Sequence, residues 1–136
     1  MTRPADGDAM LTRNQSLVLE TLAMAKGPLS AYAILDQLRA KGFRAPPQVY
    51  RALDKLMQDG MVHRLESINA YVACQHPECG SRETMIFAIC ADCGDVAELS
   101  DDGIGDRFQA AANNVSFSVH KSTVELRGRC AKCTTH

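Results

Sequence analysis

Two Cys-x-x-Cys pairs, Cys90/Cys93 and Cys130/Cys133, are the residues whose type and spacing best suit metal chemistry. Two thiolates on one tight turn can bind the same ion, and two such turns supply the four ligands of tetrahedral zinc. A redox dithiol is the alternative, but that motif belongs to a thioredoxin-like βαβ unit, which the sequence does not offer. We therefore predict a structural zinc site with no open position for a catalytic water.

Six cysteines in 136 residues could also indicate a disulfide framework, which requires a secretory context. The first ten residues lack the apolar segment of a signal peptide. No apolar stretch approaches the roughly 20 residues of a membrane span. We therefore expect a soluble cytoplasmic protein without membrane association, whose thiols stay reduced and available to metal.

A second set of possible ligands lies outside the two pairs. Any one of these residues alone is more often hydrogen-bonded or solvated than metal-bound. His63, however, falls on a predicted strand, Cys74 follows the next strand, and Glu98 lies in the second half of the chain. An ion bound by these three would connect the two halves, and mixed N, S and O ligands that include a thiolate favour zinc over iron or manganese. The other candidates are His76, Cys79, Glu83 and His120.

The first half of the chain carries the start and stop signals of three helices. Thr12 with Gln15 has capping-box spacing, Ser30 is a good N-cap, and Pro46-Pro47 can open a helix. The predicted helices end near Lys26, Gly42 and Asp59-Gly60, and two short alternating segments then predict a hairpin. Residues 1–73 are thus predicted to form a winged helix-turn-helix domain that binds DNA.

The second half, residues 74–136, predicts a small α+β domain for dimerisation and metal binding. Its apolar segments are MIFAI, VAEL, FSV and STVELR. They surround one helix, expected from about Ser100, as its N-cap, to Asn113. We expect antiparallel strands here, two of which end in a Cys-x-x-Cys pair, and an α+β class for the whole chain.

The third helix is the expected DNA-reading element, since this helix enters the major groove in winged helix-turn-helix domains. Residues 1–72 carry nine Lys/Arg against seven Asp/Glu, whereas residues 73–136 carry six against nine. Gln48, Arg51 and Lys55 lie on the helix face opposite the apolar stripe, and we predict that Arg51 contacts a base. A phosphate contact, or an ordinary solvated helix face, is the alternative.

Five segments, in order, resemble the ferric uptake regulator superfamily and, within it, the zinc uptake regulator branch. They are SAYAILDQLR, PPQVYRALDKL, GMVHRLESINAYVAC, ICADCG and VELRGRCAKC, and the resemblance covers about residues 11–133. It implies a homodimeric repressor that binds palindromic double-stranded operator DNA when zinc is bound and controls zinc uptake and homeostasis genes. It implies no small-molecule substrate. An iron- or peroxide-sensing regulator of the same superfamily is the alternative.

The resemblance also assigns roles to matching residues. It gives Cys90, Cys93, Cys130 and Cys133 as structural zinc ligands, and His63, Cys74 and Glu98 as regulatory zinc ligands. Glu83 stands where the family usually has a fourth, histidine ligand; Cys79 is our first choice for that role, followed by His76 and Glu83. Tyr32 and Arg51 resemble DNA-contacting residues. Asp36 and Arg39 are expected to pair between neighbouring dimers, with an i,i+3 pair on one helix as the alternative.

Two other classes of function are weaker explanations of the same residues. Zinc-dependent deaminases also use Cys-x-x-Cys, but they place a proline immediately before the first cysteine, where this chain has Ile89. We therefore predict that the protein is not an enzyme. A zinc-stabilised protein-interaction module would lack salt-dependent operator binding, which sets it apart from a regulator.

Overall fold

The computed structural model describes residues 11–75 and 84–134 of a mixed α+β chain. The chain divides into two compact units, with the boundary between Gly80 and Ser81. The first unit contains helices α1 (Arg13–Met24), α2 (Ala31–Leu38) and α3 (Pro46–Gln58), a 3-10 turn (Arg39–Lys41), and strands β1 (Val62–Leu65) and β2 (Ala70–Ala73). The second contains β3 (Thr84–Cys90), β4 (Val96–Leu99), α4 (Ile104–Asn113), β5 (Ser122–Gly128) and the short α5 (Ala131–Thr134). Within the described ranges, none of the helices has the length and apolar character needed to cross a bilayer.

The predicted helix starts of the first unit are confirmed. Thr12 forms a complete capping box: its hydroxyl accepts from the Gln15 amide, and the Gln15 side chain accepts from the Thr12 amide. The Ser30 hydroxyl accepts from the Ala33 amide at the start of α2. At α3, Pro46 occupies the first turn, where the missing N–H removes no intrahelical bond. Local capping chemistry therefore fixes where each of the three helices begins.

The core of the first unit is formed by the inner faces of the three helices together with the hairpin. Leu53 and Leu56 of α3 are completely buried, as are Val18 of α1 and Ile34 of α2. The remaining buried members are Leu22, Ala31, Leu35, Leu38, Phe43, Val49, Ala52, Val62 and Tyr71. Strands β1 and β2 pair antiparallel, and Leu29 adds a short bridge to Tyr71. This arrangement is the predicted winged helix-turn-helix, with α3 as its third helix.

The second unit is built on a three-stranded sheet with the order β4-β3-β5. Strand β4 pairs antiparallel with β3, as expected, whereas β5 pairs parallel with β3. The parallel pairing is possible because residues 100–121, which include α4, carry the chain from one edge of the sheet to the other. Both β3 and β5 therefore finish at the same edge.

Two local expectations for the second unit were wrong. Helix α4 begins at Ile104 after Gly103, and not at Ser100, because Asp101 accepts the Gly103 amide at 2.8 Å and forms a turn before the helix. Residues 117–119 do not form a strand. Instead, the Gln109 side chain accepts the Val119 amide at 3.1 Å, so this segment bonds to a helix side chain and not to a strand.

Candidate metal centres and nucleic-acid interface

The parallel pairing of β3 and β5 brings the two Cys-x-x-Cys turns together. Cys90, the last residue of β3, lies opposite Gly128, the last residue of β5. Each strand continues directly into its turn, so the second pair, Cys130 and Cys133, leaves the sheet beside the first. The sulfur atoms of Cys90, Cys93, Cys130 and Cys133 all lie within 4.8 Å of one another. The predicted four-cysteine cluster is thus formed within the second unit.

The spacing of these sulfur atoms suits a tetrahedral ion. Cys90 Sγ lies 3.7 Å from Cys133 Sγ, and Cys93 Sγ lies 3.7 Å from Cys130 Sγ. Four sulfurs at zinc–sulfur distances of about 2.3 Å around a tetrahedral centre are separated by about 3.8 Å. The four thiols therefore match the geometry of a closed zinc site, in which the ion stabilises the fold and has no position open for a substrate.

Hydrogen bonding shifts the pKa values of Cys90 and Cys133 in opposite directions. The backbone amides of Cys130 and Cys93 both approach Cys90 Sγ at 3.4 Å, and these bonds lower the pKa of the Cys90 thiol to about 6. At the other extreme, side-chain hydrogen bonding with Cys130 and Cys90 raises the pKa of Cys133 to about 12. Crowded thiols cannot all ionise without a cation, so a divalent ion is the natural neutralising group for this cluster.

Two ion pairs lie beside the cluster, and the sequence alone did not predict them. Arg129 Nε lies 3.0 Å from Asp92 Oδ2, and Lys132 Nζ lies 3.2 Å from Asp95 Oδ2. The available signal was the charge pattern: acids surround the first turn, ADCGD, and bases surround the second, RCAK. That pattern becomes meaningful only once the two turns are known to be neighbours.

Two residues of the second ligand set come together in the first unit. His63 lies on β1 opposite Val72, and Cys74 follows two residues later, so the two side chains occupy the same face of the hairpin. The Cys74 amide donates to the Met61 carbonyl at 2.8 Å, which extends the hairpin to this residue. A ring nitrogen of His63 lies within 4.8 Å of Cys74 Sγ. The structure has the Cys74 sulfur in a disulfide, so the expectation that the thiols stay reduced does not hold for this residue. The imidazole and the sulfur atom nevertheless lie side by side, and once Cys74 is reduced they could bind one ion.

The remaining members of that set are Glu98 and the candidates for the fourth ligand. Glu98 lies on β4 in the second unit, opposite Phe87 of β3, and is half-buried. Cys79, His76 and Glu83, the candidates for the fourth ligand, lie outside the described residues.

The outer face of α3 presents polar side chains, as predicted. Arg51 and Lys55 are exposed, and Lys55 Nζ lies 3.5 Å from Asp59 Oδ1. Gln48 is only half-buried, but its Oε1 accepts from the amides of Arg44, at 2.6 Å, and Ala45, at 3.0 Å. This oxygen therefore caps the N-terminus of α3. Arg51 remains the most available side chain of the three for a base edge.

Helix α2 carries the other predicted contacts. The Tyr32 side chain is 63% exposed, which leaves its ring available to a partner. Asp36 of α2 forms an ion pair with Arg39, the first residue of the 3-10 turn that follows, with Nε and Oδ1 3.3 Å apart. The i,i+3 pairing considered as the alternative is thus formed within the chain, while pairing between dimers stays a prediction.

Comparison with known proteins shows which family has this architecture. The model of the ferric uptake regulator family matches residues 9–127, nearly the whole of the chain. The chain belongs to the ferric uptake regulator family. Within that family, it is 37% identical over 130 residues to the zinc uptake regulation protein of Escherichia coli (strain K12), covering 95% of this chain and 75% of that protein.

Solved structures agree with this assignment. The zinc uptake regulator complexed with zinc and DNA is 36% identical, with a TM-score of 0.85 over 96% of this chain and 87% of that chain. Holo XcZur is 42% identical, with a TM-score of 0.83 over 93% and 87% of the two chains. The named relatives are regulators, so the winged helix and the cysteine cluster belong to a family of regulators.

Proposed function

We propose that the protein is a zinc-responsive transcriptional repressor of zinc uptake and homeostasis genes. It binds palindromic operator DNA as a homodimer when zinc is bound, and releases the DNA when zinc is scarce. The observation that carries this proposal is that His63 and Cys74 lie side by side at the base of the β1–β2 hairpin, which is the wing. An imidazole beside a cysteine sulfur, once that sulfur is reduced to the thiolate, selects zinc over harder ions. The 37% identity to a zinc uptake regulation protein supports the same metal.

Two zinc sites with different tasks follow from the ligands. The four cysteines hold a structural ion within the second unit, where a small domain has little apolar core of its own. In our proposal, His63, Cys74 and Glu98 hold the regulatory ion, with a fourth ligand from Cys79 or, in its place, His76 or Glu83. These ligands belong to two units of the chain. Binding the ion would therefore restrict the wing relative to the rest of the dimer.

Zinc binding and DNA binding are then linked. A zinc ion that favours the DNA-binding arrangement must itself be bound more tightly on the operator, because coupling between two sites is reciprocal. A coupling of about 1–3 kcal/mol would tighten operator binding about 5- to 150-fold.

A homodimer suits the exposed apolar surface of the second unit. Leu99 on β4 and Leu126 on β5 are 41% and 49% exposed, and Phe117 after α4 is 60% exposed. Burial of such side chains against a second copy would remove apolar area from water. A two-fold dimer presents two copies of α3, which accounts for a palindromic operator with Arg51 in each half-site.

Operator affinity under controlled zinc tests the proposal. An operator is first selected from random duplexes by the zinc-bound protein, and its Kd is then measured with buffered zinc and with a chelator. We expect tighter binding with zinc and loss of that response in Cys74→Ser. His120→Ala should keep the response, because His120 is offset from the histidine that the family often places before its last strand and is left out of the proposed regulatory site. Equal affinities in the two conditions would refute zinc control.

The same assay separates the neighbouring functions. Buffered iron or manganese in place of zinc should fail to restore operator binding, whereas success with iron alone would point to an iron sensor. Loss of operator binding after peroxide treatment of the zinc-bound protein would point to a peroxide sensor. Salt-dependent operator binding would distinguish a regulator from a protein-interaction module.

We further propose that the protein acts in the cytoplasm, without catalysis and without a small-molecule substrate, since the closed four-thiolate site leaves zinc no position for a reacting water.

A further inference from the structure

The two ion pairs beside the cysteine cluster join one Cys-x-x-Cys turn to the other. Asp92 lies between the two cysteines of the first turn and pairs with Arg129, immediately before the second turn. Lys132 lies between the two cysteines of the second turn and pairs with Asp95, two residues after the first. Each turn thus contributes one charged side chain from inside its loop and one from its flank.

The pairs act beside hydrogen bonds that already join the two turns, one of which runs from the Cys130 amide to Cys90 Sγ at 3.4 Å. The Ala91 amide donates to the Gly128 carbonyl at 2.7 Å, directly beside the end of the β3–β5 ladder. Beyond that bond, the chain segments that hold Cys93 and Cys133 are not part of a strand. The ion pairs act on these segments, where the sheet no longer fixes the separation of the two turns.

We infer that Asp92–Arg129 and Asp95–Lys132 form a clasp that positions the four cysteines and slows loss of the structural zinc. The inference rests on the zinc assignment of this cluster in the proposed function. All four side chains are between 45% and 80% exposed, so each pair contributes modestly. The clasp works through geometry: zinc leaves when the two turns separate, and either pair opposes that separation.

The four side chains could instead act on the zinc site only through the electric field of their charges, without holding the turns together. This field effect alone makes a different prediction from the clasp, which allows a decisive test. A zinc ion with four thiolates carries a net charge of −2, so a nearby carboxylate destabilises it and a nearby ammonium stabilises it. Under a field effect, Asp92→Asn would therefore slow zinc loss and Lys132→Gln would accelerate it. Under the clasp, both substitutions accelerate zinc loss, because each breaks one connection between the turns.

The experiment follows zinc transfer from the full-length dimer to a chromogenic chelator. Cys74→Ser is used as the background, so that the structural ion alone contributes to the signal. We expect Asp92→Asn and Lys132→Gln each to accelerate zinc loss about 2- to 5-fold, the range corresponding to an exposed ion pair. The charge-swapped protein with Asp92→Arg and Arg129→Asp should return the rate toward that of the background. Asp36→Asn is the matched control, because it breaks an exposed ion pair of the first unit.

Each other outcome counts against the clasp. Slower zinc loss in Asp92→Asn, or rates equal to the Asp36→Asn control, would overturn it while leaving the zinc assignment intact. Failure of the charge swap to restore the rate would also overturn it. A background protein that contains no zinc would overturn the structural-zinc premise and the clasp together.

Discussion

Replacement of Arg51 by alanine tests whether α3 reads the operator through this side chain. Arg51 is exposed on the face of α3 opposite the completely buried Leu53, so its removal should change the free energy of unfolding by no more than about 0.5 kcal/mol. A bidentate contact between arginine and guanine is worth about 1–3 kcal/mol. A two-fold dimer makes that contact twice, so we expect a loss of about 2–6 kcal/mol, or at least about 30-fold in Kd.

The assay compares the selected operator with duplexes that carry one changed base pair in each half-site, at several salt concentrations. If Arg51 reads a base, the variant should lose discrimination at one position per half-site and keep it elsewhere. Lys55→Gln, one turn later on the same face, is the control and should weaken all duplexes alike. If Arg51→Ala also weakens every duplex equally and lowers the salt slope by about one per protomer, Arg51 contacts phosphate only and the base assignment is refuted.

Three further substitutions test the framework that positions these sites. Leu53→Ala should lower the free energy of unfolding by about 2–5 kcal/mol in urea denaturation, because it opens a cavity in a completely buried position; a change below 1 kcal/mol would contradict the described core. Thr12→Ala removes the hydroxyl of the capping box and should cost about 0.5–2 kcal/mol, whereas Thr12→Ser should be close to neutral. Cys133→Ser removes one of four ligands and should reduce the zinc that survives dialysis against a weak chelator by one ion per protomer; unchanged zinc content would exclude Cys133 as a ligand.

The first unit could be predicted from the sequence because its signals are local. The caps at Thr12 and Ser30 and the proline at the start of α3 act within one turn of the chain, and the structure contains all three. The same kind of reasoning failed at α4. Ser100 and the acids after it resemble a helix start, but Asp101 bonds to Gly103 and completes a turn first. Capping residues and turn residues are the same residue types, so sequence alone does not separate these outcomes.

Strand direction in the second unit could not be obtained in this way. Nothing local in STVELR indicates whether it pairs parallel or antiparallel with MIFAI, since both patterns satisfy the same side-chain alternation. The spacing within each Cys-x-x-Cys pair predicted a metal site, but the distance between the pairs depends on the parallel register that sets Cys90 opposite Gly128. The ion pairs of Asp92 and Asp95 depend on that register too, which is why their partners were not recognised.

The cysteine cluster and the His63–Cys74 pair differ in how far the surrounding fold depends on a bound ion. This difference bears on which of the two sites can act as the zinc switch. The four cysteines lie at the ends of two paired strands of one unit, so emptying that site loosens the unit itself. A sensor must lose its metal within the normal range of zinc without unfolding. His63 and Cys74 lie on a hairpin whose backbone pairing is complete without metal, and the hydrophobic core beneath it includes Val62 and Tyr71. In our proposal, loss of zinc there would leave the winged helix folded, so we expect this pair to be the one whose occupancy varies reversibly.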